Sequence, residues 1–105
     1  MTLANETTSA SAPGLMFGVR VLDLTRQIAG PYCTKLMATY GAEVIKIESR
    51  TRPDQLRRAE PLVGSRSLEE SGYFAVRNTN KKSVSIDMKE PGRAISCSIW
   101  RAMPT

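Results

Sequence analysis

The stretch "TRQIAGP", residues 25–31, combines features of a turn that binds an anion. It lies between an apolar run and a segment with helical periodicity. A turn from a strand into a helix presents unpaired backbone N–H groups and the positive end of the helix dipole, and both attract negative charge. Dinucleotide-binding turns carry three glycines, whereas this one has only Gly30, so an NAD site is weakly supported. The alternative is that Gly30 and Pro31 only begin a helix, and the local sequence supports it about as well as it supports anion binding.

Two acidic residues occupy positions that an α/β protein could use. Glu48 ends the apolar run "EVIKIE", where dinucleotide-binding proteins hold ribose hydroxyls, although a solvated acid fits equally well. Asp23 interrupts the apolar stretch "VRVLDL", and a buried carboxylate requires an arginine or backbone N–H groups as partners. We therefore favour a structural role for Asp23 over a catalytic one.

The composition argues against several kinds of catalytic and metal site. The chain of 105 residues contains no histidine, which removes the commonest activator of serine or cysteine nucleophiles and the commonest metal ligand. Cys33 and Cys97 form no C-x-x-C pair, so we expect reduced thiols. We predict no catalytic residue and no metal site.

The charge pattern limits the partners. The chain has 15 basic and 10 acidic residues, and residues 49–72 form an irregular basic excursion. We interpret this excursion as a solvated surface, with phosphate contact as the alternative. Aromatic residues do not alternate with the basic ones, so nucleic acid is not an expected partner. The sequence has no run of 18 apolar residues, so no membrane span is predicted.

The hydrophobic pattern places the turn inside a strand–helix–strand unit. Residues 19–24 predict a buried strand, and residues 43–47 predict a second strand. Between them, Pro31 is predicted at the first position of a helix that ends at Gly41. A short third strand is predicted at 83–87. The fold class is therefore α/β, with an incomplete Rossmann-like parallel sheet of about three strands. The apolar helix face is expected to comprise Tyr32, Cys33, Leu36, Met37 and Tyr40.

Two longer stretches resemble a known family. "GVRVLDLTRQIAGPYCTKLMATYGAEVIKIES", residues 18–49, and "GYFAVRNTNKKSVSIDMKEPGR", residues 72–93, resemble the N-terminal end of the class III CoA-transferases. That family includes formyl-CoA transferase, carnitine CoA-transferase, succinate–hydroxymethylglutarate CoA-transferase and α-methylacyl-CoA racemase. The resemblance implies coenzyme A or an acyl-CoA as substrate, a carboxylic acid as its partner, transfer through an aspartate, and an intertwined homodimer.

The resemblance also implies which residues contact CoA. Ile28 and Ala29 take positions that approach CoA near its thioester. Ser49 stands where relatives often have a basic residue that contacts the nucleotide, and Arg50 could substitute for it. The segment lining the adenosine part corresponds to Ile86, Asp87, Met88 and Lys89. The family's catalytic aspartate matches no residue here, so we expect the chain to be inactive alone.

The resemblance divides the chain into three parts. Residues 1–17 are expected to form a disordered lead-in, 18–93 a partial CoA-binding Rossmann-like domain, and 94–105 a divergent tail. The expected chain is thus an N-terminal fragment. A weak CoA- or nucleotide-binding module and an interaction protein that pairs with a full-length paralogue are the alternatives. The family implies an intracellular setting, cytoplasmic or mitochondrial, and the acyl substrates stay open.

Overall fold

A computed structural model describes residues 12–60, 64, 68–69 and 71–92. Its elements, in chain order, are β1 (Arg20–Asp23), α1 (Ala29–Thr39), β2 (Glu43–Glu48), a 3₁₀ helix (Gln55–Arg58), α2 (Gly72–Arg77) and β3 (Lys82–Ser85). The strands form an open sheet in the order β1–β2–β3, with both pairs parallel. The predicted α/β fold with three parallel strands is confirmed.

The parallel sheet gathers three strand ends at one edge. Val21 pairs with Val44 and Ile47 pairs with Val84, so β2 is central. Because the strands run in the same direction, the residues that follow each strand leave the sheet at a common edge. We call it the carboxyl edge. The loops after β1, β2 and β3 therefore meet there.

Small side chains seat α1 on the sheet. Pro31, Thr34 and Ala38 are its buried residues, and their spacing of three and four follows one helix face. Ala38 packs with Ala42 and Val44 in the hydrophobic core. A face of small residues lets the helix axis approach the strands closely.

The predicted apolar face of α1 is largely wrong. Tyr32, Cys33, Leu36 and Tyr40 are exposed, and of the predicted set only Met37 packs against the core. The larger apolar side chains occupy the opposite side of the helix from the small buried ones. Periodicity alone favoured the bulkier stripe, whereas close packing on the sheet selected the smaller one.

Glycines explain both ends of α1. The helix begins at Ala29 with Ile28 as its N-cap, so Pro31 is its third residue and not its first. A Cβ atom at position 30 would collide with the side chain of Thr25, so glycine is required there. Gly41 has φ of 104°, which confirms the predicted stop.

The predicted irregular excursion, residues 49–72, contains a 3₁₀ helix, and α2 begins at its last residue. Asp54 accepts a hydrogen bond from the Leu56 N–H and caps the 3₁₀ helix. Ser71 caps α2 by accepting from the Phe74 N–H. α2 is only six residues long, too short for periodicity to indicate. β3 also begins one residue earlier and ends two residues earlier than predicted.

The N-terminal described residues pack on the end of α1. The Met16 N–H donates to the Tyr40 carbonyl at 2.8 Å, and Met16 lies against the core. Residues 1–11 and 93–105, which hold most of the predicted lead-in, Cys97 and the predicted tail, lie outside the described residues. The domain boundaries thus stay predictions. Within the described ranges, no helix has the length and apolarity needed to cross a membrane.

Candidate functional site

A cleft of about 250 Å³ opens at the carboxyl edge of the sheet. It brings together five residues that the resemblance assigned to CoA, namely Ser49, Ile86, Asp87, Met88 and Lys89. Arg50 lines a neighbouring hollow that shares Ser49 with the cleft. Ile28 and Ala29 line neither hollow, although both are exposed where α1 begins.

The walls of the cleft combine apolar and basic side chains. Leu24 and Ile86 contribute apolar surface, and Arg26, Arg52 and Lys89 contribute positive charge. Three carboxylates also line the cleft, and two of them are paired, Glu48 with Arg57 and Asp54 with Lys46. The apolar surface and the exposed basic side chains are compatible with a ligand that has an apolar part and negative groups. Sequence reasoning did not select Arg26, and it treated Arg52 only as part of a basic surface.

Two loops are joined across the cleft by hydroxyl and carboxylate groups. The Ser49 and Thr51 hydroxyls lie 2.9 Å apart, and the Thr51 hydroxyl donates to Asp87 Oδ2 at 3.3 Å. Asp87 Oδ1 accepts from the Lys89 N–H at 3.1 Å. Ser49 and Asp87, both predicted to contact CoA, are thus linked through Thr51 by a series of hydrogen bonds between the loops after β2 and β3.

Asp54 ties the turn before α1 to the segment after β2. Its carboxylate oxygens each accept from the Gln27 N–H at 3.1 Å, and Oδ2 lies 3.5 Å from Lys46 Nζ. Lys46 also donates to the Thr25 carbonyl at 2.8 Å. Asp54 was not predicted, although "PDQL", a proline followed by an acid before a short helix, is a capping signal that could have identified it.

Asp23 is buried and fully partnered beneath the turn. It accepts from the Thr25 N–H and hydroxyl, from the Thr34 hydroxyl at 2.7 Å, and from Lys81 Nζ at 2.9 Å. Burial opposes ionisation, but hydrogen bonds from Thr25, Lys81 and Thr34 outweigh it and hold the pKa of Asp23 below its ordinary value. These contacts support a structural role: the Thr25 N–H is a backbone partner of the predicted kind, and a lysine is present where an arginine was the other expectation.

Glu48 forms a bidentate ion pair at the end of β2. Its oxygens lie 2.8 and 2.9 Å from Arg57 Nε and Nη2, and the guanidinium stacks 3.7 Å from the Phe74 ring centroid. Burial raises the pKa of Glu48, but hydrogen bonds from Arg57 and Ser83 bring it below its ordinary value. The expectation of a solvated acid is therefore wrong, and the carboxylate that was considered for ribose is already paired.

Comparison with known proteins identifies the family. Residues 16–101 match the model of CoA-transferase family III. The chain belongs to this family. It is 45% identical over 75 residues to succinyl-CoA:glutarate CoA-transferase of Mus musculus. That alignment covers 70% of this chain and 16% of the mouse protein. It is 40% identical over 97 residues to acetyl-CoA:oxalate CoA-transferase of Acetobacter aceti, covering 91% of this chain and 24% of the relative.

Solved structures agree with this assignment. A hypothetical protein from Mycobacterium tuberculosis superposes with a TM-score of 0.71 and 28% identity, over 87% of this chain and 24% of that one. A CaiB/BaiF family protein from Brucella suis superposes with a TM-score of 0.67 and 29% identity, over 77% and 21%. The chain therefore spans about a fifth of the length of these relatives.

Proposed function

We propose that the cleft at the carboxyl edge holds coenzyme A, and that the chain supplies this part of the CoA site in a family III CoA-transferase. One observation carries the proposal. The loops after β2 and β3, which the resemblance assigns to CoA, line one cleft with basic groups at its walls. In open α/β sheets, ligands bind outside the carboxyl ends of the strands.

In this proposal the cleft holds the nucleotide part of CoA, and the rest of the molecule extends beyond the cleft. The adenine ring packs on Ile86 and Met88, and the phosphates lie near Arg52 and Lys89. Arg50 reaches the nucleotide from the neighbouring hollow. The pantetheine arm then runs toward the turn before α1, where Ile28 and Ala29 approach the thioester.

The three aspartates among the described residues support a binding role for this chain and not a catalytic one. Asp23 and Asp54 are buried, and each is held by a lysine and by hydrogen bonds. Asp87 lies in the cleft, but the resemblance assigns its position to the adenosine end of CoA. We therefore propose that acyl transfer between CoA and a carboxylic acid requires an aspartate from outside the described residues.

Calorimetric titration of the chain with CoA tests the proposal. Lys89→Ala should weaken binding about tenfold, equivalent to about 1.4 kcal/mol, because it removes a charge from the cleft. Lys82→Ala is the matched control, since Lys82 lies at the opposite edge of the sheet and pairs with Glu43. Absence of heat at millimolar CoA, or equal weakening by the two variants, would contradict the proposal.

A second candidate is an interaction role, favoured by the exposed apolar stripe on α1. Tyr32, Leu36 and Tyr40 follow a spacing of four residues and are all exposed. In this alternative the chain pairs with a full-length family member, whose subunits form the proposed intertwined homodimer. Co-purification with such a member tests it, and loss of the complex in Leu36→Asp but not in Thr39→Asp would support the stripe as the contact.

A further inference from the structure

A residue in the turn before α1 has an uncommon backbone conformation. Gln27 has φ of 67°, in the left-handed region that side chains other than glycine, asparagine and aspartate seldom adopt. It directly precedes Ile28, the N-cap of α1, and Ala29, the first helical residue. The conformation of Gln27 therefore sets the direction in which the chain enters the helix.

The carboxylate of Asp54 is hydrogen-bonded to the backbone of Gln27. Both of its oxygens accept from the Gln27 N–H at 3.1 Å. The carboxylate is itself fixed by the Leu56 N–H, 3.1 Å from Oδ1, and by Lys46 Nζ, 3.5 Å from Oδ2. Asp54 is 4% exposed, so water competes poorly for these contacts.

Neighbouring contacts connect the same two segments. Arg26 Nη2 donates to the Pro53 carbonyl at 2.7 Å, and Gln27 Nε2 donates to Gln55 Oε1 at 2.7 Å. Both are exposed, so they are weaker than the buried contact. The turn is therefore tied to residues 53–55, with Asp54 as the buried member of that set.

We infer that Asp54 is a positioning residue for the CoA site, which acts by selecting the left-handed conformation of Gln27 and so presenting Ile28 and Ala29 to the thioester end of CoA. This inference rests on the proposed function, because only there do Ile28 and Ala29 contact a ligand. Without Asp54, only a fraction of the molecules have the turn in the conformation that binds CoA. The apparent affinity for CoA is then reduced in proportion to that fraction.

Glycine substitution gives a selective test, because glycine adopts positive φ without steric cost. The double variant Lys46→Met/Asp54→Ala removes the carboxylate without leaving a charge buried alone. It also removes the Lys46 hydrogen bond to the Thr25 carbonyl and changes two residues that line the cleft, so rescue by glycine at position 27 is the result that isolates the role of Asp54. Its affinity for CoA, measured by calorimetry, should fall about tenfold. Adding Gln27→Gly should restore most of the affinity. Asn80→Gly is the matched control, because Asn80 also has a left-handed conformation, with φ of 64°, in the turn before β3. Adding it to the double variant should restore none of the CoA affinity.

Nuclear magnetic resonance separates the two proposals. Residue 27 should give the strong intraresidue amide-to-α-proton contact of a positive φ in the native chain and lose it in the double variant. This measurement is made without CoA, so it tests the effect of Asp54 on Gln27 even if CoA does not bind. An unchanged signal in the double variant, or equal rescue by Asn80→Gly, would overturn the role of Asp54.

If the double variant does not fold, Gln27→Val tests whether the positive φ at residue 27 is needed for CoA binding. A β-branched residue resists positive φ, so the substitution opposes Asp54 directly. CoA affinity should fall about tenfold, whereas Asn80→Val should leave the affinity of the folded chain unchanged. Native affinity in Gln27→Val would overturn the inference.

Discussion

Lys46 Nζ lies 3.5 Å from Asp54 Oδ2, and each of these side chains is only 2% exposed. They come from the central strand and from the segment that follows it. A buried ion pair of this kind adds little net stability, because desolvation offsets the attraction, but removal of one partner leaves an uncompensated charge. Because of this pair, we expect substitution of Asp54 to reduce stability more than substitution of an exposed residue in the segment after β2 would.

Substitutions in this pair should be strongly non-additive. We expect Asp54→Ala to lower the free energy of unfolding by about 3–5 kcal/mol, because Lys46 is left buried without a counter-charge. Lys46→Met/Asp54→Ala should lose clearly less. Urea unfolding of the two variants measures the difference. A double variant that is less stable than Asp54→Ala would contradict this account of the pair.

The exposed pair of Lys82 and Glu43 is the control for that measurement. Lys82 is largely exposed and Glu43 lies at the surface, so Lys82→Met should change the unfolding midpoint little. A loss comparable with that of Asp54→Ala would mean that burial is not what distinguishes the two ion pairs.

The depressed pKa values of Asp23 and Glu48 predict acid sensitivity. A carboxyl whose pKa is lower when folded binds fewer protons in the folded state, so its stabilisation is complete above the unfolded pKa, about 4. The stabilisation should disappear as the pH falls from there through the folded pKa. Urea midpoints measured from pH 7 down to pH 3 should therefore decline.

Asp23→Asn isolates one contribution to that decline. The variant should be less stable than the native chain at pH 7, and the gap should narrow as the pH falls below about 4, because the native Asp23 is then protonated as well. Parallel pH profiles for the two proteins would show that Asp23 does not contribute in this way.

Arg57 should not tolerate lysine. Its guanidinium makes two hydrogen bonds to Glu48 and stacks on Phe74, and an ammonium group cannot reproduce both. We expect Arg57→Lys to lower the free energy of unfolding by about 1–3 kcal/mol. Arg58→Lys changes the exposed neighbour and should have little effect. Equal results for the two variants in thermal unfolding would contradict the importance of this ion pair.

Much of the strand–helix–strand unit was predictable from local patterns. The apolar runs predicted β1 and β2, and Gly41 predicted the end of α1. The buried face of α1 was not predictable, because Tyr32 and Leu36 follow the helical period as well as Pro31, Thr34 and Ala38 do. Only the closeness of the helix to the sheet distinguishes the two faces.

The site was partly predictable. Ser49 and residues 86–89, which the resemblance assigned to CoA, line one cleft because loops after neighbouring parallel strands leave the same edge. Their contact with CoA stays a prediction. The contact between Lys81 and Asp23 joins residues 58 positions apart, and no local pattern encodes it. Asp54 contacts Gln27 across 27 positions for the same reason. Such pairings follow from the assembled fold and not from spacing.

The most direct test of the proposed CoA site is to map CoA onto the chain by heteronuclear nuclear magnetic resonance. Titration should shift the backbone amides of Ser49, Arg52, Asp87 and Lys89 at the carboxyl edge. Amides at the opposite edge, such as those of Arg20, Glu43 and Lys82, should change little. Shifts confined to that opposite edge, or no shifts at millimolar CoA in the folded chain, would contradict the proposal that the cleft holds coenzyme A.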